Sequence, residues 1–233
     1  MSAKENLENI RQRVEKAARS VGRNPSEIRI IGAVKGQPLP LIFEALAAGL
    51  SDLGENRIQE AQARADEIKA RFPKVAWHMI GHLQTNKVRQ AIDIFDIIHS
   101  IDSEHLAREI EQKAGAKGKI VPVLIEVKTS EEATKYGIAV EAAADFVKMV
   151  SGLDHLRVQG LMTVAPLEED PGKTRPYFFR LRKLSEDLKK MNLPRVEMKY
   201  LSMGMSDDFE VAVEEGANIL RIGRAIFGIG KRR

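Results

Sequence analysis

The stretch Ile28-Arg-Ile-Ile-Gly-Ala-Val-Lys-Gly36 is apolar over most of its length and ends in one lysine followed by a glycine. An apolar run of this length with a single charged interruption is typical of a strand in a parallel sheet that is buried on both faces. In parallel α/β folds, ligands lie beyond the carboxyl ends of the strands. Lys35 therefore marks either the point where a strand reaches solvent or the point where a primary amine meets a ligand, and this stretch alone does not distinguish the two.

Strand-like and helix-like segments alternate along the rest of the chain. The segments predicted as helices lie near 38–49, 56–71, 85–92, 103–115, 140–151, 174–191 and 207–215. The short apolar runs predicted as strands lie near 28–34, 50–53, 76–80, 94–99, 120–127, 156–161, 198–202 and 218–222. Eight such units in 233 residues favour a closed (β/α)₈ TIM barrel over an open doubly wound sheet. Because no linker or change in composition interrupts the pattern, we expect residues 1–233 to form a single domain.

An additional helix is predicted before the first strand. Between residues 4 and 21, apolar side chains recur three or four positions apart, and Gly22 follows as a helix-ending residue. This amphipathic segment is extra to the repeating pattern. We expect it to pack over one end or side of the barrel.

Composition excludes several classes of protein. Hydrophobic residues make up 43% and charged residues 30% of the chain, and no run reaches the ~18 apolar residues that a membrane span requires. The absence of cysteine excludes disulfides and thiolate chemistry, and the N-terminus lacks the apolar region of a secretory signal. We therefore expect a cytoplasmic protein that does not bind membranes.

The net charge of +4 is spread along the chain and is not concentrated in one stripe. The predicted helix from Arg175 to Met191 is rich in arginine and lysine, but Glu186 and Asp187 dilute its field. It is better explained as an amphipathic barrel helix with a solvated face than as a nucleic-acid or membrane surface. Lys231-Arg-Arg233 is predicted to be a solvated tail, so no nucleic-acid partner is expected.

Hydroxyl and glycine residues follow the last two predicted strands. Ser202, Gly204 and Ser206 come after the seventh strand, and Gly223 comes after the eighth. In such barrels the loops after strands 7 and 8 commonly bind phosphate through backbone N–H groups. These are also ordinary turn residues, but two adjacent loops of this kind favour a phosphate site. Asp207 and Glu210 are predicted to form a capping box at the helix that follows.

Arg221 lies at the end of the eighth predicted strand. A cation near Lys35, together with partial burial, would lower the pKa of the lysine and release the neutral amine for attack on a carbonyl group. A lysine beside a phosphate site fits a Schiff base with a phosphorylated aldehyde. Both phosphosugars and pyridoxal 5′-phosphate (PLP) meet that description.

A metal site is not predicted. His78 and His82 are the histidines close enough in sequence to form one, but they lie on a strand and its exit, without a suitably spaced carboxylate. Structural or cofactor-adjacent roles are expected for both.

The strand-end motifs together resemble the pyridoxal phosphate homeostasis proteins, the YggS or PROSC family. The resemblance spans essentially the whole chain and rests on these ordered motifs: Ala33-Val-Lys35, Gly54-Glu-Asn56, Trp77-His-Met-Ile-Gly-His-Leu-Gln-Thr-Asn-Lys87, Gly160-Leu-Met-Thr-Val-Ala-Pro166, Leu201-Ser-Met-Gly-Met-Ser-Asp207 and Arg221-Ile-Gly223 with Phe227-Gly228. It implies a barrel like the N-terminal domain of alanine racemase, which holds PLP as an internal aldimine.

The resemblance also implies roles for individual residues. Lys35 would form the Schiff base, Asn56 would line the cofactor ring, and Arg221 would face the pyridine nitrogen. Ser202, Gly223 and Arg224 would hold the phosphate. The other residues expected to line the cofactor site are Asn86, Met162, Gly204, Met205 and Ser206.

The chain departs from the family pattern in two places. Many relatives have Ser-Lys-Thr around the reactive lysine, whereas Val34 and Gly36 flank Lys35 here. After the fifth strand the family often has an asparagine and a Ser-Lys-Ser-Gly-like run, whereas this chain has Lys128 and Thr134-Lys-Tyr-Gly137. These changes retain the lysine but alter the hydrogen-bonding groups near it.

Three functions fit these features: a PLP-binding homeostasis protein without robust catalysis, a PLP-dependent amino-acid racemase, and a phosphosugar aldolase that uses Lys35. A racemase of the related fold takes a second acid/base, a tyrosine, from another domain and subunit, whereas this chain ends with the barrel and has only Tyr136, Tyr177 and Tyr200. We therefore expect a PLP carrier, with apo-forms of PLP-dependent enzymes as acceptors, that acts as a monomer.

Overall fold

Eight parallel strands close into a barrel within the part of the chain that the computed structural model describes, residues 2–131 and 136–228. The strands are β1 (Arg29–Ala33), β2 (Asp52–Glu55), β3 (Ala76–Met79), β4 (Ile97–Ile101), β5 (Val121–Lys128), β7 (Leu156–Met162), β8 (Val196–Ser202) and β9 (Ile219–Ile222), and the two-residue β6 (Ile138–Ala139) pairs with β5 outside the barrel. Pairing of β1 with β9 and of β4 with β5 completes the ring. The predicted (β/α)₈ barrel is confirmed.

Helices surround the barrel and connect its strands. They are α1 (Ala3–Ser20), α2 (Leu39–Ala47), α3 (Ile58–Arg71), α4 (Val88–Ile94), α5 (Glu104–Gly115), α6 (Ala143–Val150), α7 (Arg175–Lys190), α8 (Phe209–Glu214) and α9 (Arg224–Phe227), with short 3₁₀ turns at Pro25–Glu27, Thr85–Lys87, Val140–Ala142 and Pro171–Thr174. In the described part of the chain, none of these helices has the length and apolarity needed to cross a membrane.

The predicted extra helix is α1. Ser2 caps it by accepting a hydrogen bond from the Glu5 backbone N–H, and the Glu5 carboxylate accepts one from the Ser2 backbone N–H. Its buried face, which includes Leu7 and Ile10, packs against α2, α8 and α9. The helix therefore covers the side of the barrel where its first and last strands meet.

Side chains alternate between two environments along the strands. Leu53, Trp77 and Ile98 belong to the large core between strands and helices. A smaller apolar cluster, formed by Ile97, Leu124 and Met162, lies apart from it. Since Ile97 and Ile98 are consecutive, the small cluster lies on the opposite side of the sheet, within the barrel.

The basic helix α7 is a barrel helix, as predicted. Phe178, Leu181 and Leu188 are buried against the sheet. Four of its six cations have carboxylate partners: Arg175 pairs with Glu214 and Glu215, Arg182 with Glu186 and Glu215, Lys183 with Glu186, and Lys190 with Asp187. These pairs reduce the positive field that the sequence alone displays.

The expected capping box between Asp207 and Glu210 is wrong. Helix α8 starts one residue later than such a box requires, with Asp208 as its N-cap. The Asp207 carboxylate instead pairs with Arg224, and Glu210 pairs with Arg13 of α1 at 2.8 Å. Both carboxylates therefore connect separate segments and do not cap the helix.

Two features were not predicted, α9 and β6, because each is too short to show a period. Two stretches noted in the sequence, Lys231-Arg-Arg233 and the Thr134-Lys135 part of the departure after the fifth strand, lie outside the described residues.

Candidate functional site

Lys35 lies two residues beyond the end of β1, in a turn that helix α3 holds from both sides. The Gly36 N–H donates to Glu60 Oε2 at 2.9 Å, and Arg64 Nη1 donates to the Val34 carbonyl at 2.9 Å. Gly36 has a φ of 65°, which a β-branched threonine would adopt only with strain. The departure from the family pattern at Gly36 therefore accompanies a left-handed turn.

The Lys35 side chain is exposed, so the expected partial burial is not found. It lines a cavity of about 550 Å³ that Asn56, His82 and Tyr136 also line. An adjoining cavity of about 280 Å³ shares those last three residues and extends to Glu126. The C-terminal end of the barrel therefore presents a broad, polar recess with Lys35 in its wall.

The loops after β8 and β9 pack on each other beside the end of β1. Ser206 Oγ accepts a hydrogen bond from the Ala225 N–H at 3.1 Å, so the hydroxyl lies against the first turn of α9. Because β1 and β9 are neighbours, Gly223 lies beside Ala33; a Cβ at Gly223 would be 3.1 Å from the Ala33 carbonyl oxygen. Ser206, Gly223 and the backbone of Arg224 thus lie close to the strand that leads to Lys35.

Ser202 lies deeper than these loops. It is fully buried, and its hydroxyl is 2.6 Å from Arg221 Nη1 and 3.0 Å from His99 Nδ1. Arg221 is also buried, and its Nη2 donates to the Thr163 carbonyl at 2.7 Å. The hydroxyl of Ser202 therefore holds the Arg221 guanidinium inside the barrel.

A chain of buried side chains continues from Ser202 through the barrel. His99 Nε2 is 3.0 Å from His78 Nδ1, and His78 Nε2 is 3.0 Å from Asp52 Oδ1. Burial lowers the pKa of His99 well below its usual range, and the nearby His78 and Arg221 lower it further. Burial would raise the pKa of Asp52, but hydrogen bonds from His78 and Ser51 outweigh it, so the pKa is lowered and Asp52 is a carboxylate.

Two buried carboxyl groups lie near the recess. Burial raises the pKa of Glu126 to about 7, with a further contribution from Asp102, while Arg221 opposes the shift. Burial also raises the pKa of Glu55 to about 7 against the opposing charge of Arg64. Both groups change protonation near neutral pH.

Gly204 and Met205 form the bend after β8. Gly204 has a φ of 93°, and a Cβ there would lie 2.6 Å from Ala212 Cβ, so α8 packs directly on the backbone. The Arg221 N–H donates to the Gly204 carbonyl at 3.0 Å. Met205 lines a separate small cavity with Asp208. These two residues shape the loop from behind.

Two further predicted residues are not in the wall of the Lys35 cavity, although their neighbours line the recess. Met162 is buried in the apolar cluster inside the barrel. Asn86 is exposed on the turn Thr85–Lys87 and, among the described residues, is not in the wall of the cavity that Lys35 lines. Asn56 lines both cavities. Asn56 therefore lines the same cavity as Lys35, whereas the roles of Asn86 and Met162 stay predictions.

His78 and His82 have separate surroundings. His78 belongs to the buried chain, whereas His82 stacks on Tyr136 with ring centroids 3.9 Å apart. His82 Nδ1 is 3.5 Å from Asp102 Oδ2. In residues 2–131 and 136–228, no three histidine or acidic side chains are grouped as metal ligands would be.

Sequence reasoning missed Asp52, His99 and Thr163. For Asp52 and His99 a signal was present in the alternation of the strands: each is a polar residue in a buried strand, next to an apolar residue, Leu53 or Ile98, that faces the helices. Polar residues at inward positions of a barrel strand indicate an internal network, because buried polar groups require partners.

Comparison with known proteins identifies relatives along the whole chain. The family described as alanine racemase, N-terminal domain, matches residues 6–231. A pyridoxal phosphate homeostasis protein of Aquifex aeolicus is 40% identical over 228 residues, which cover 98% of each chain.

Solved structures are also similar to this chain over nearly its whole length. PipY of Synechococcus elongatus, determined with PLP bound, superposes with a TM-score of 0.85 at 33% identity, covering 97% of this chain and 100% of that one. An alanine racemase of Clostridium difficile shares the fold at a TM-score of 0.75 and 15% identity, covering 99% of this chain and 57% of the racemase. The present chain corresponds to the barrel portion of that longer protein.

Proposed function

The chain belongs to the family of pyridoxal phosphate homeostasis proteins, and we propose that it binds PLP through a Schiff base on Lys35 and serves intracellular vitamin B6 homeostasis. When bound, PLP supplies an aldehyde that a lysine amine captures reversibly and a phosphate that requires N–H donors. The residues around Lys35 provide for both needs.

One observation carries the proposal: the Lys35 strand and the Gly223 loop are neighbours. Ala33 is in contact with the position where a Gly223 side chain would begin, and Lys35 follows two residues later. Without a side chain at Gly223, an anion can approach the backbone there. We assign the phosphate contacts to the Ser206 hydroxyl and the backbone N–H groups of Gly223 and Arg224.

The remaining predicted residues take supporting roles in this proposal. Asn56 lines the recess beside Lys35 and would contact the ring. Gly204 and Met205 would shape the phosphate loop from behind. Ser202 is committed to Arg221 and His99, so we propose that it supports the cofactor through Arg221 and not by direct contact with phosphate.

Arg221 favours a carrier over a versatile PLP enzyme. A guanidinium does not give up its proton, so an arginine facing the pyridine nitrogen would leave the ring unprotonated and a weaker electron sink. The broad recess around Lys35 would be reachable by acceptor proteins, for which apo-forms of PLP-dependent enzymes are the proposed class. We propose that the carrier is a monomer.

The proposal is tested by trapping. Borohydride reduction of the PLP-loaded protein followed by peptide mass spectrometry should locate the pyridoxyl group on Lys35. Lys35→Ala should abolish both the label and the visible absorption band. Lys87→Ala is the matched control because Lys87 lines the same cavity, and it should retain both. A label that persists on another lysine in Lys35→Ala would refute the assignment.

Tyr136 favours one alternative, a PLP-dependent amino-acid racemase. Its ring lines the cavity that Lys35 lines and stacks on His82, so an acid/base is available in the recess. The carrier proposal expects no more than stoichiometric racemisation across a panel of amino acids. Multiple turnovers that disappear in Tyr136→Phe would favour the racemase.

A further inference from the structure

We propose that Asp52, His78, His99 and Ser202 form a hydrogen-bond chain of fixed direction that positions the Arg221 guanidinium from the opposite end of the barrel. Its effect on the cofactor rests on the proposed function. The chain itself is a property of the protein without any ligand.

The chain crosses the whole barrel. Asp52 is the first residue of β2, His78 and His99 are in the middle of β3 and β4, and Ser202 is the last residue of β8. In the ring of strands, β4 and β8 are not neighbours, so the 3.0 Å contact between His99 and Ser202 spans the interior. All four residues are buried, with 5% exposure at most.

The two ends of the chain determine its direction. Arginine has N–H donors and no acceptor, so Arg221 must donate to Ser202 Oγ. The Asp52 carboxylate has acceptors only, so His78 Nε2–H must donate to it. Each group between these ends therefore accepts a hydrogen bond from the Arg221 side and donates one toward the Asp52 side.

Only one neutral arrangement satisfies every contact. Ser202 accepts from Arg221 and donates its O–H to His99 Nδ1; His99 Nε2–H then donates to His78 Nδ1. Both histidines are the Nε2–H tautomer. In the reverse arrangement Ser202 would receive donors from both sides, and its own proton would have no acceptor in the chain. The lowered pKa of His99 keeps it neutral, as the arrangement requires.

The chain is a positioning device and not a proton path. A proton relay needs an acceptor at its end, and the guanidinium of Arg221 cannot serve as one. Together with the Thr163 carbonyl, the oriented Ser202 hydroxyl fixes two of the Arg221 amino groups. Asp52 thereby acts on the recess from the far end of the barrel, where it lines a separate cleft and lies 3.7 Å from Arg29.

The direction is tested on the ligand-free protein. Long-range ¹H–¹⁵N NMR spectra at about pH 8 should show both His78 and His99 as neutral Nε2–H tautomers. A protonated Nδ1 on either ring would overturn the proposal. Because no cofactor is present, this result is independent of whether the protein binds PLP.

The positioning effect is tested with paired variants. In Asp52→Ala the imidazoles lose their fixed acceptor; we expect mixed tautomers and a roughly three- to tenfold weaker PLP affinity. Asp52→Asn, which keeps an acceptor oxygen, should restore most of the affinity. Glu15→Gln is the control, since Glu15 lines the same cleft outside the chain and should change neither property. Unchanged tautomers and affinity in Asp52→Ala would refute the proposal.

A second pair tests the near end of the chain. An asparagine at position 99 places an acceptor oxygen close to the site of His99 Nδ1, whereas leucine offers none. His99→Asn should therefore retain the absorption maximum of the PLP complex, and His99→Leu should shift it. Equal spectra for the two folded variants would show that Arg221 is held without this chain.

Discussion

The Ser206 hydroxyl accepts a hydrogen bond from the Ala225 backbone N–H at 3.1 Å, which joins the loop after β8 to the first turn of α9. Ser202, four residues earlier, is fully buried and bonded to Arg221. Two serines four residues apart thus lie at different depths: Ser206 is half-buried in the loop, where we propose that it contacts phosphate, and Ser202 is fully buried at the end of β8.

This difference in depth predicts different losses in the two alanine variants. Ser206→Ala should weaken PLP affinity about five- to tenfold, because a hydrogen bond to a charged group is lost. It should leave the affinity for pyridoxal, which lacks the phosphate, nearly unchanged. Ser202→Ala should weaken both ligands alike, since it acts through Arg221. Absorption titrations with PLP and with pyridoxal measure the two affinities for each variant. A phosphate-selective loss in Ser202→Ala would reverse the assignment.

Replacing the buried Glu126 with glutamine should increase the stability of the protein at high pH. Its pKa is raised to about 7 in the folded protein from 4.5, mainly by burial. Its stabilising contribution is therefore complete below pH 4.5 and is lost as the pH rises through 7. Glutamine does not ionise, so Glu126→Gln does not lose stability in this way as the pH rises. The free energy of unfolding should match the wild type at low pH and exceed it by about 2–3 kcal/mol at pH 8.

Urea denaturation at pH 4.5 and pH 8 checks this sign. Glu8→Gln, at an exposed site on α1, is the control and should show little difference between the two pH values. A variant less stable than the wild type at pH 8 would show that the Glu126 charge is stabilised by Arg221 more than burial opposes it.

The number and order of strands could be predicted because each strand is an apolar run at a regular interval. The second strand was predicted at 50–53 but spans Asp52–Glu55. The predicted strand began too early because Leu50, which lies in the preceding turn, is buried like a strand residue. Its side chain packs on Gly32, where a Cβ would lie 2.5 Å from Leu50 Cδ2. Burial of a loop residue imitates the start of a strand.

The site could be predicted only where it coincides with strand ends. Lys35 and Gly223 were predicted to lie near each other because their strands, β1 and β9, end at the same edge of the barrel. The link from His99 to Ser202 could not be predicted, since it crosses the barrel between two strands that are not neighbours, at positions 103 residues apart in sequence. Tertiary pairing, and not local pattern, decides which inward polar residues meet.

Gly160 lies so close to the backbone of β8 that even a methyl group at this position should destabilise the fold. A Cβ there would lie 1.9 Å from the Tyr200 carbonyl oxygen, across the irregular pairing of β7 and β8. Gly160→Ala should lower the free energy of unfolding by about 2–4 kcal/mol, because the backbones must separate. Gly152→Ala, at an exposed site, should change it by less than about 1 kcal/mol. Thermal unfolding followed by circular dichroism compares them, and equal midpoints would contradict the close approach.

Loosening the turn that carries Lys35 should slow the capture of the cofactor. Glu60 accepts the Gly36 N–H at 2.9 Å, and it pairs with Arg64 at 3.7 Å. Removing this acceptor in Glu60→Ala frees the peptide next to Lys35, so the amine should spend less time oriented toward the recess. We expect PLP capture, followed by stopped-flow absorption, to slow several-fold, with little loss of global stability.

Two further variants isolate the hydrogen bond from the charge. Glu60→Gln keeps an acceptor oxygen for Gly36 and should recover most of the rate. Glu67→Ala removes a carboxylate from the same helix whose partner is Arg71, and it should leave the rate unchanged. If Glu60→Gln were as slow as Glu60→Ala, the negative charge near Lys35 would be the cause. If neither variant were slow, the Gly36 turn would be rigid without α3, and its left-handed backbone alone would orient the amine.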